Sequence, residues 1–532
     1  MSEKVESGIE VEGGFRIHIA TFMALAGAVL MMVWRLQTSS FISDEALMMI
    51  ALACYILAAL FQLTNLYAPS EMSSKISVWT ATLGVFFNLS SWLVRWVAAY
   101  DREMAMLRAA NNPENPWFFR YVPFANLYDL SLAFAFGAGL MTLFLINRKQ
   151  LRFIGAFTLP LAAIILTLAR FIGSEFVDLP PVLDSYWRPI HVGVASLSYG
   201  VTLVCFAIAV LYLLKDKVKP EAMAIWAGGF SIATIGTISK FSVLTEFVYR
   251  AGIFVPSSMG SKPVSTPFRL EIPWVGSLLA FSALLTIGMI IAYLLYLYQD
   301  NAKGKMIGRY LLLGALLLQL GAIGAWINGV KNTKEVYPKV QEQVKQHPEL
   351  LEAVGRDLIA RQGMPAKEFA AIQPAQFQMA ANQFLQNAGP QMFLSLKTNP
   401  VEFSGLISAA AGLFFVLLFG LKTETLVERL PDLATLDNLM YTTAGLAFAG
   451  LAMLLITGAI WANESWGRPW GFDSKETGAL VAWLTYAAFL HTRITRGWQG
   501  RKSAYFAILG FLLVIFTYLG VSYLLPGLHS YA

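Results

Sequence analysis

Apolar residues occur along this chain in long blocks. Each block is about 20 residues, the length a helix needs to cross the hydrocarbon core of a bilayer. By that rule about thirteen spans are predicted, at approximately 16–36, 45–66, 77–99, 126–146, 152–173, 190–214, 222–243, 274–298, 308–329, 403–421, 440–461, 477–493 and 504–525. The seventh is the weakest, because Lys240 and Glu246 crowd its end. Residues 330–402 interrupt the pattern as one sizeable polar segment. Within it Leu350, Leu351, Ala353, Val354, Leu358 and Ile359 recur at helical spacing, which predicts two or three amphipathic helices. The expected fold class is therefore all-α: a polytopic transmembrane helical bundle with a small helical extracytoplasmic insert. Four parts are expected: N-terminal membrane helices at 1–75, a first membrane region at 76–329, the insert at 330–402, and a C-terminal membrane region at 403–532.

Charge orients this frame. The basic short loops are Arg148–Arg152, Lys215–Lys219, Lys303–Lys305 and Arg493–Lys502. All fall on one side by the span count, and the positive-inside rule makes that side the cytoplasm. The N-terminus is then inside. The C-terminus, the insert and the loop at 461–476 are then outside, and the expected location is the bacterial cytoplasmic membrane. Composition agrees: 57% of residues are hydrophobic and 14% charged, against about 25% charged in soluble domains. The net charge of +6 resides in inter-helix loops and gives no nucleic-acid signal. No cleavable signal peptide is expected, since the first sixteen residues carry four Glu and no basic-then-apolar run. Cys54 and Cys205 both lie in apolar spans, and no Cys-x-x-Cys occurs, which excludes dithiol redox chemistry on this chain and attached haem c. No Gly-rich phosphate loop is visible, which argues against ATP hydrolysis.

The densest chemistry lies between two spans, at Trp461-Ala-Asn-Glu-Ser-Trp466-Gly-Arg-Pro-Trp470-Gly-Phe-Asp-Ser-Lys-Glu476. Gly467, Pro469 and Gly471 interrupt any regular helix. Two readings fit the aromatics. One is an interfacial belt, because Trp is enriched at every membrane boundary. The other is a flat platform for a large planar ligand, because each ring buries much area at small conformational cost. The belt does not account for Asp473, Lys475 and Glu476, which follow at once, or for His491 and His529 beyond them.

The pattern Trp-Ala-x-Glu-x-Trp-Gly-x-x-Trp-x-x-Asp-x-Lys-Glu, followed by an apolar helix ending in Leu490-His491, resembles the tryptophan-rich signature of the haem-handling proteins of cytochrome c maturation. The CcsA (ResC) type of the system II pathway is the nearest resemblance. Ala479-Leu480, Trp483, Tyr486, Gly497-Trp498 and the final Gly527-Leu-His529-Ser-Tyr531 continue it, as do Pro123–Asp129 and Pro181–Val192 upstream. It covers roughly residues 90–215 and 425–532. Two positions depart from it: Phe472 stands where the family usually has Trp, and Ser474 where it usually has Pro.

The resemblance implies a function. The chain would bind and export haem b to the outer membrane face. There it would present haem for thioether attachment to the Cys-x-x-Cys-His segment of an apocytochrome c, acting as a cytochrome c synthase component. The partners implied are a CcsB (ResB)-type membrane protein, the apocytochrome, possible thiol-reducing proteins and the lipid bilayer, without nucleic acid. His191 and His529 lie on the same side as the platform and occupy the positions of the family's outer iron ligands. Two neutral imidazoles from opposite faces hold iron six-coordinate. Trp461, Trp466, Trp470 and Phe472 would pack on the porphyrin, and the expected catalytic set is His191, His529 and Asp473. Asp473 and Glu476 also read as acids favoured by a helix N-terminus, or, with Arg468, as contacts to propionates or substrate. His491 lies about 14 residues into its span, roughly 21 Å below the outer boundary. An ionisable group at that depth is a functional candidate, and the family has an inner haem ligand there, with its partner ligand from the CcsB-type protein. His18 is a second candidate at similar depth; Arg493 and Arg496 read as inside anchors or propionate contacts, and His347 as a surface residue. Two rival classes stay open: a haem transporter without ligation activity, and an ion- or quinone-linked membrane subunit.

Overall fold

The computed structural model describes residues 19–521, apart from segments at 39–41, 113–116, 175, 177–180, 257–263, 361–368, 370 and 422. His18 and His529 lie outside the described residues. The apolar blocks form helices: α1 Ile19–Gln37, α2 Asp44–Tyr67, α3 Glu71–Ala109, α4 Leu127–Ile146, α5 Gly155–Ile172, α6 Trp187–Lys215 and α7 Pro220–Thr237. A four-residue turn of helix, α8 Ser242–Thr245, precedes α9 Val275–Gln299 and α10 Ala302–Asn332. The insert supplies α11 Val336–Gln346, α12 Glu349–Ala360 and α13 Pro374–Ala388. The chain continues with α14 Pro400–Leu421, the short α15 Thr423–Arg429, α16 Leu433–Trp466, α17 Ser474–Arg496 and α18 Arg501–Ile515. Among the described residues twelve helices are long and apolar enough to cross a membrane. The expected span at 477–493 is α17. It is 23 residues long but less apolar, because Thr, His and Arg residues share one helix with the apolar ones.

The seventh span ends early. Ser239, Lys240 and Phe241 all take positive φ (50°, 53° and 77°), a conformation costly for residues with a Cβ. The backbone N–H of Ser239 donates to Glu402 Oε1 at 3.1 Å, which helps hold that turn. Beyond it the expected loop 244–273 folds into strands β1 Arg250–Val255 and β2 Val264–Glu271. β1 lies between β2 and a third strand, β3 Phe393–Leu394, and both pairings are antiparallel. The insert packs on this small sheet, and together they share a core with α7, α9, α10 and α14 through Tyr249, Ile253, Trp326 and Phe403.

A second core joins α2, α4, α5 and α6 to α16, α17 and α18. Apolar on every face, α4 is the most enclosed span, as its composition requires. It meets α6 where both lack side chains: a Cβ on Gly200 would stand 2.3 Å from the backbone nitrogen of Ala138. Small residues of this kind let membrane helices approach to backbone contact. At one end of this core Arg95 is fully buried, bonded to Asp129, to Asp44 at 3.3 Å and to the carbonyl of Ser174 at 2.5 Å. A charge so enclosed persists only when its donors are all met.

Candidate haem site

The end of α16 carries Trp461 and Trp466 on helix, so the helical part of the tryptophan-rich stretch runs further than the glycines suggest. Gly467 stops it at φ +69°, the left-handed position that ends many helices, with its N–H donating to the Asn463 carbonyl at 3.0 Å. Six residues later Asp473 opens α17 with a reciprocal cap. The Asp473 carboxylate accepts from the Lys475 N–H at 3.2 Å. Glu476 Oε2 accepts from the N–H groups of Asp473 at 3.2 Å and Gly471 at 2.8 Å. This connection is therefore braced rather than loose. Ser185, just before α6, ties that helix start to Glu464 of α16.

Between these elements lies a cavity of about 960 Å³ of empty space, part of it open to solvent. Trp461, Trp466, Pro469 and Trp470 form one wall, and His191 and Val192 of α6 another. Tyr199, Thr517 and Tyr518 close it below. Thr517 and Tyr518 come from a widened helical turn at Phe516–Gly520, a distortion frequent at functional sites. Tyr518 Oη and Ser131 Oγ are 2.7 Å apart, which fixes that ring against α4.

His191 meets α16 at close range. Its Nδ1 lies 3.0 Å from the Leu454 carbonyl and 3.4 Å from Thr457 Oγ1. A carbonyl only accepts, so this geometry assigns the proton to Nδ1 and leaves the lone pair on Nε2, the tautomer of a metal-ligating imidazole. The His191 and Trp461 rings are 5.6 Å apart, tilted by 41°. A Cβ on Gly458 would stand 2.8 Å from His191 Cε1, so only glycine leaves the ring this room. The buried Trp461 Nε1 has no hydrogen-bond partner among the described residues.

Lys475 and Glu476 reach the cavity from the first turn of α17, outside the apolar part of that span. Burial lowers the Lys475 amine to about 8 from the ordinary 10.5, opposed by the Asp473 charge, so it remains a cation at neutral pH. One cavity thus gathers His191, Trp461, Trp466, Trp470, Lys475 and Glu476. Two expected residues stand apart from its lining. Phe472 is exposed at φ +54°, edge-on to Trp470 at 6.0 Å. Asp473 is occupied as the cap of α17.

His491 lies 17 residues beyond Ser474 on α17, roughly 25 Å away along the helix axis. Its side chain is exposed on the bundle surface rather than packed in the core. Arg493 is paired with Asp437 of α16 and lies over the Tyr441 ring at 4.6 Å, an interhelical latch. His347 is exposed in the insert and 3.0 Å from Glu349. Sequence reasoning missed Gly458, Tyr199, Thr517 and Tyr518. Only a polar residue inside an apolar span marked the last three.

A wide aromatic-walled cavity with an Nε2 lone pair, a cation and few other polar groups suits haem. Comparison with known proteins points the same way. The family described as Cytochrome C assembly protein matches residues 124–252 and 392–529, together just over half of the chain. A "Cytochrome c biogenesis protein CcsA" of Rippkaea orientalis is 53% identical over 116 residues, which is 20% of this chain and 34% of that protein. Proteins of the same description from Thermosynechococcus vestitus and Pyropia yezoensis are 56% identical over 105 residues and 55% over 103. These cover 20% and 19% of this chain, and 33% and 32% of those proteins. The chain thus matches about a third of the length of these curated relatives.

Proposed function

The chain belongs to the cytochrome c assembly protein family, and on that premise we propose that it holds haem b in the cavity beside Trp461, Trp466 and Trp470 for covalent attachment to apocytochrome c. When bound, haem supplies two vinyl groups, across which the S–H bonds of a Cys-x-x-Cys-His segment add to give thioethers. The protein supplies position. His191 offers Nε2 to the iron and is oriented by the Leu454 carbonyl through Nδ1. His529 would be the second residue to hold the iron. The three tryptophans fix the ring plane, and Lys475 stands where it can neutralise a propionate. Holding the acceptor in one orientation replaces an entropic cost the reaction would otherwise meet.

The observation that carries this reading is the placement of His191, from α6, against Trp461 at the mouth of the platform. A second haem position is proposed at His491. Its exposure on α17 suits a ligand shared with a CcsB-type partner that packs on that face. Haem would pass from there to the outer cavity. In this reading the chain sits in the cytoplasmic membrane with the platform outside, and thiol-reducing proteins keep the substrate cysteines available.

The test is purification with a CcsB-type partner and an apocytochrome, in a host lacking its own maturation system. His191→Ala is expected to abolish covalent cytochrome while haem still enters, with partial rescue by added imidazole; His529→Ala should behave alike. His491→Ala is expected to lower bound haem and cytochrome yield together. Full yield from His191→Ala removes it as a ligand. Normal haem and yield from His491→Ala ends the conduit reading. Haem bound with no cytochrome formed by the unaltered pair leaves transport and presentation as the activity.

A further inference from the structure

A second cavity, of about 990 Å³ of empty space open in part to solvent, lies at the other end of the bundle. Helix α4 relates the two. Leu130, near its start, lines the haem cavity, and Lys149, just past its end, lines this one. Twenty residues of helix separate two levels by about 30 Å. The chemistry differs as well. Gln62, Ser74, Ser77, Lys149, Arg152 and Arg429 contribute to the lining, and no tryptophan does.

Gln62 sits on α2 at 3% exposure, and neither its amide nitrogen nor its oxygen has a hydrogen-bond partner among the described residues. It is held in place by α5: a Cβ on Gly155 would come within 2.7 Å of its Oε1. The buried Nε of Arg152 also has no partner, although Nη1 donates to Ser74 Oγ at 2.8 Å. A buried carboxamide and guanidinium edge without partners are costly and call for a ligand.

The surrounding charge is one-sided. Among the described residues Lys149, Arg152 and Arg429 pair with no carboxylate, and the acid on the rim, Glu71, pairs with Lys75 at 3.4 Å. Three cations elsewhere at this end of the bundle are matched, Lys219 by Asp300, Lys305 by Glu221 and Arg501 by Asp216. Lys217 and Lys303 pair with no carboxylate among the described residues, so the buried Gln62 and Arg152 Nε, rather than unpaired charge, distinguish this cavity. A role as ordinary membrane anchors accounts for the exposed Lys149 and Arg429, but not for Gln62 or Arg152 Nε. The start of α3, capped by Ser70, adds the positive end of a 39-residue helix to the same mouth.

We propose that this cavity binds a phosphate group whose carrier bears a hydroxyl, such as the headgroup of an anionic glycerophospholipid. Phosphate oxygens meet the guanidinium edge, the ammonium and the Gln62 amide N–H, and the carrier hydroxyl donates to Gln62 Oε1. The position at the ends of α2, α3 and α5 sets such a group at headgroup level, where basic pockets between spans take anionic lipids.

The experiment uses the full chain, delipidated in detergent, titrated with phosphatidylglycerol or with phosphatidylcholine of the same acyl chains and read by native mass spectrometry. Glycerol 3-phosphate is added separately as the soluble source. Phosphatidylglycerol should bind about tenfold tighter than phosphatidylcholine, and Gln62→Leu and Arg429→Gln should each reduce that preference by a comparable factor. Arg429 is exposed, so its variant keeps the fold even where Gln62→Leu disturbs packing. Glycerol 3-phosphate binding with the same dependence on Arg429 keeps the phosphate site and assigns it to a soluble carrier. Equal binding of the two lipids, with no response of any probe to Arg429→Gln, overturns the proposal. Haem plays no part in these readouts, so they stand apart from the reading of the other cavity.

Discussion

At the residue scale the site depends on a missing side chain as much as on a present one. The segment Pro189-Ile-His191 was legible as a candidate from its place before an apolar span. Gly458 was not, because its significance lies in a neighbour 267 positions away in sequence whose ring needs its space. Glycine inside a helix is otherwise a liability: alanine there stabilises by about 1 kcal/mol. The two effects oppose each other at Gly458, and sterics decide. A Cβ 2.8 Å from Cε1 and 3.1 Å from Nδ1 must push the imidazole off the Leu454 carbonyl. Gly458→Ala is therefore expected to disturb the haem absorption spectrum and lower cytochrome yield about tenfold, while haem still enters and the protein stays folded. Gly445, on the same helix, is the internal control, since a Cβ there meets nothing within 4 Å. Gly445→Ala should keep the spectrum and gain or hold stability. An unaltered spectrum in Gly458→Ala would mean that His191 does not define the cavity's axial direction.

At the element scale the turn between α16 and α17 explains how three tryptophans face one volume. Glycine and proline made the break visible in sequence, but not that α16 continues through Trp466 or that Asp473 and Glu476 close a capping box. Both acids had two accounts, helix cap or contact to haem and substrate, and the hydrogen bonds assign Asp473 to the cap. Asparagine caps a helix about as well as aspartate, whereas alanine costs about 1 kcal/mol. Asp473→Ala should thus lower the thermal unfolding midpoint in detergent and reduce cytochrome yield with it. Asp473→Asn should keep both. Loss of yield in a stable Asp473→Asn protein would return the carboxylate to the chemistry. The β1–β2 hairpin was the element sequence reasoning lost. Its inward residues Ala251, Ile253 and Val255 alternate correctly, but six residues beside 20-residue apolar blocks give a faint signal, and Pro267 weakens β2 further.

At the scale of the whole molecule the spans were legible because their length is set by the bilayer, whereas their neighbours were not. Nothing local announces that α6 lies along α16, more than 200 residues later, yet that pairing creates the cavity proposed to hold haem. The arrangement does bear on orientation. Basic loops expected on one face meet at one end of the bundle: Arg501 pairs with Asp216, Lys219 with Asp300, and Lys215 Nζ donates to the carbonyls of Val427 and Leu430. The hairpin, β3 and the insert lie together away from them, joined by the β1–β3 pairing. Segregated basic loops are expected to face the cytoplasm, because positively charged loops translocate poorly. Reporter fusions placed within residues 340–350 and after residue 532 should accordingly report an extracytoplasmic location, and fusions at Lys217 and Lys303 a cytoplasmic one. The pairing of β1 with β3 requires residues 250–255 and 393–394 to share a side, so a fusion after Gly252 must agree with the insert. Cytoplasmic activity in the insert with extracytoplasmic activity at Lys217 would invert the molecule and place the tryptophan platform inside, where no exported apocytochrome could reach it.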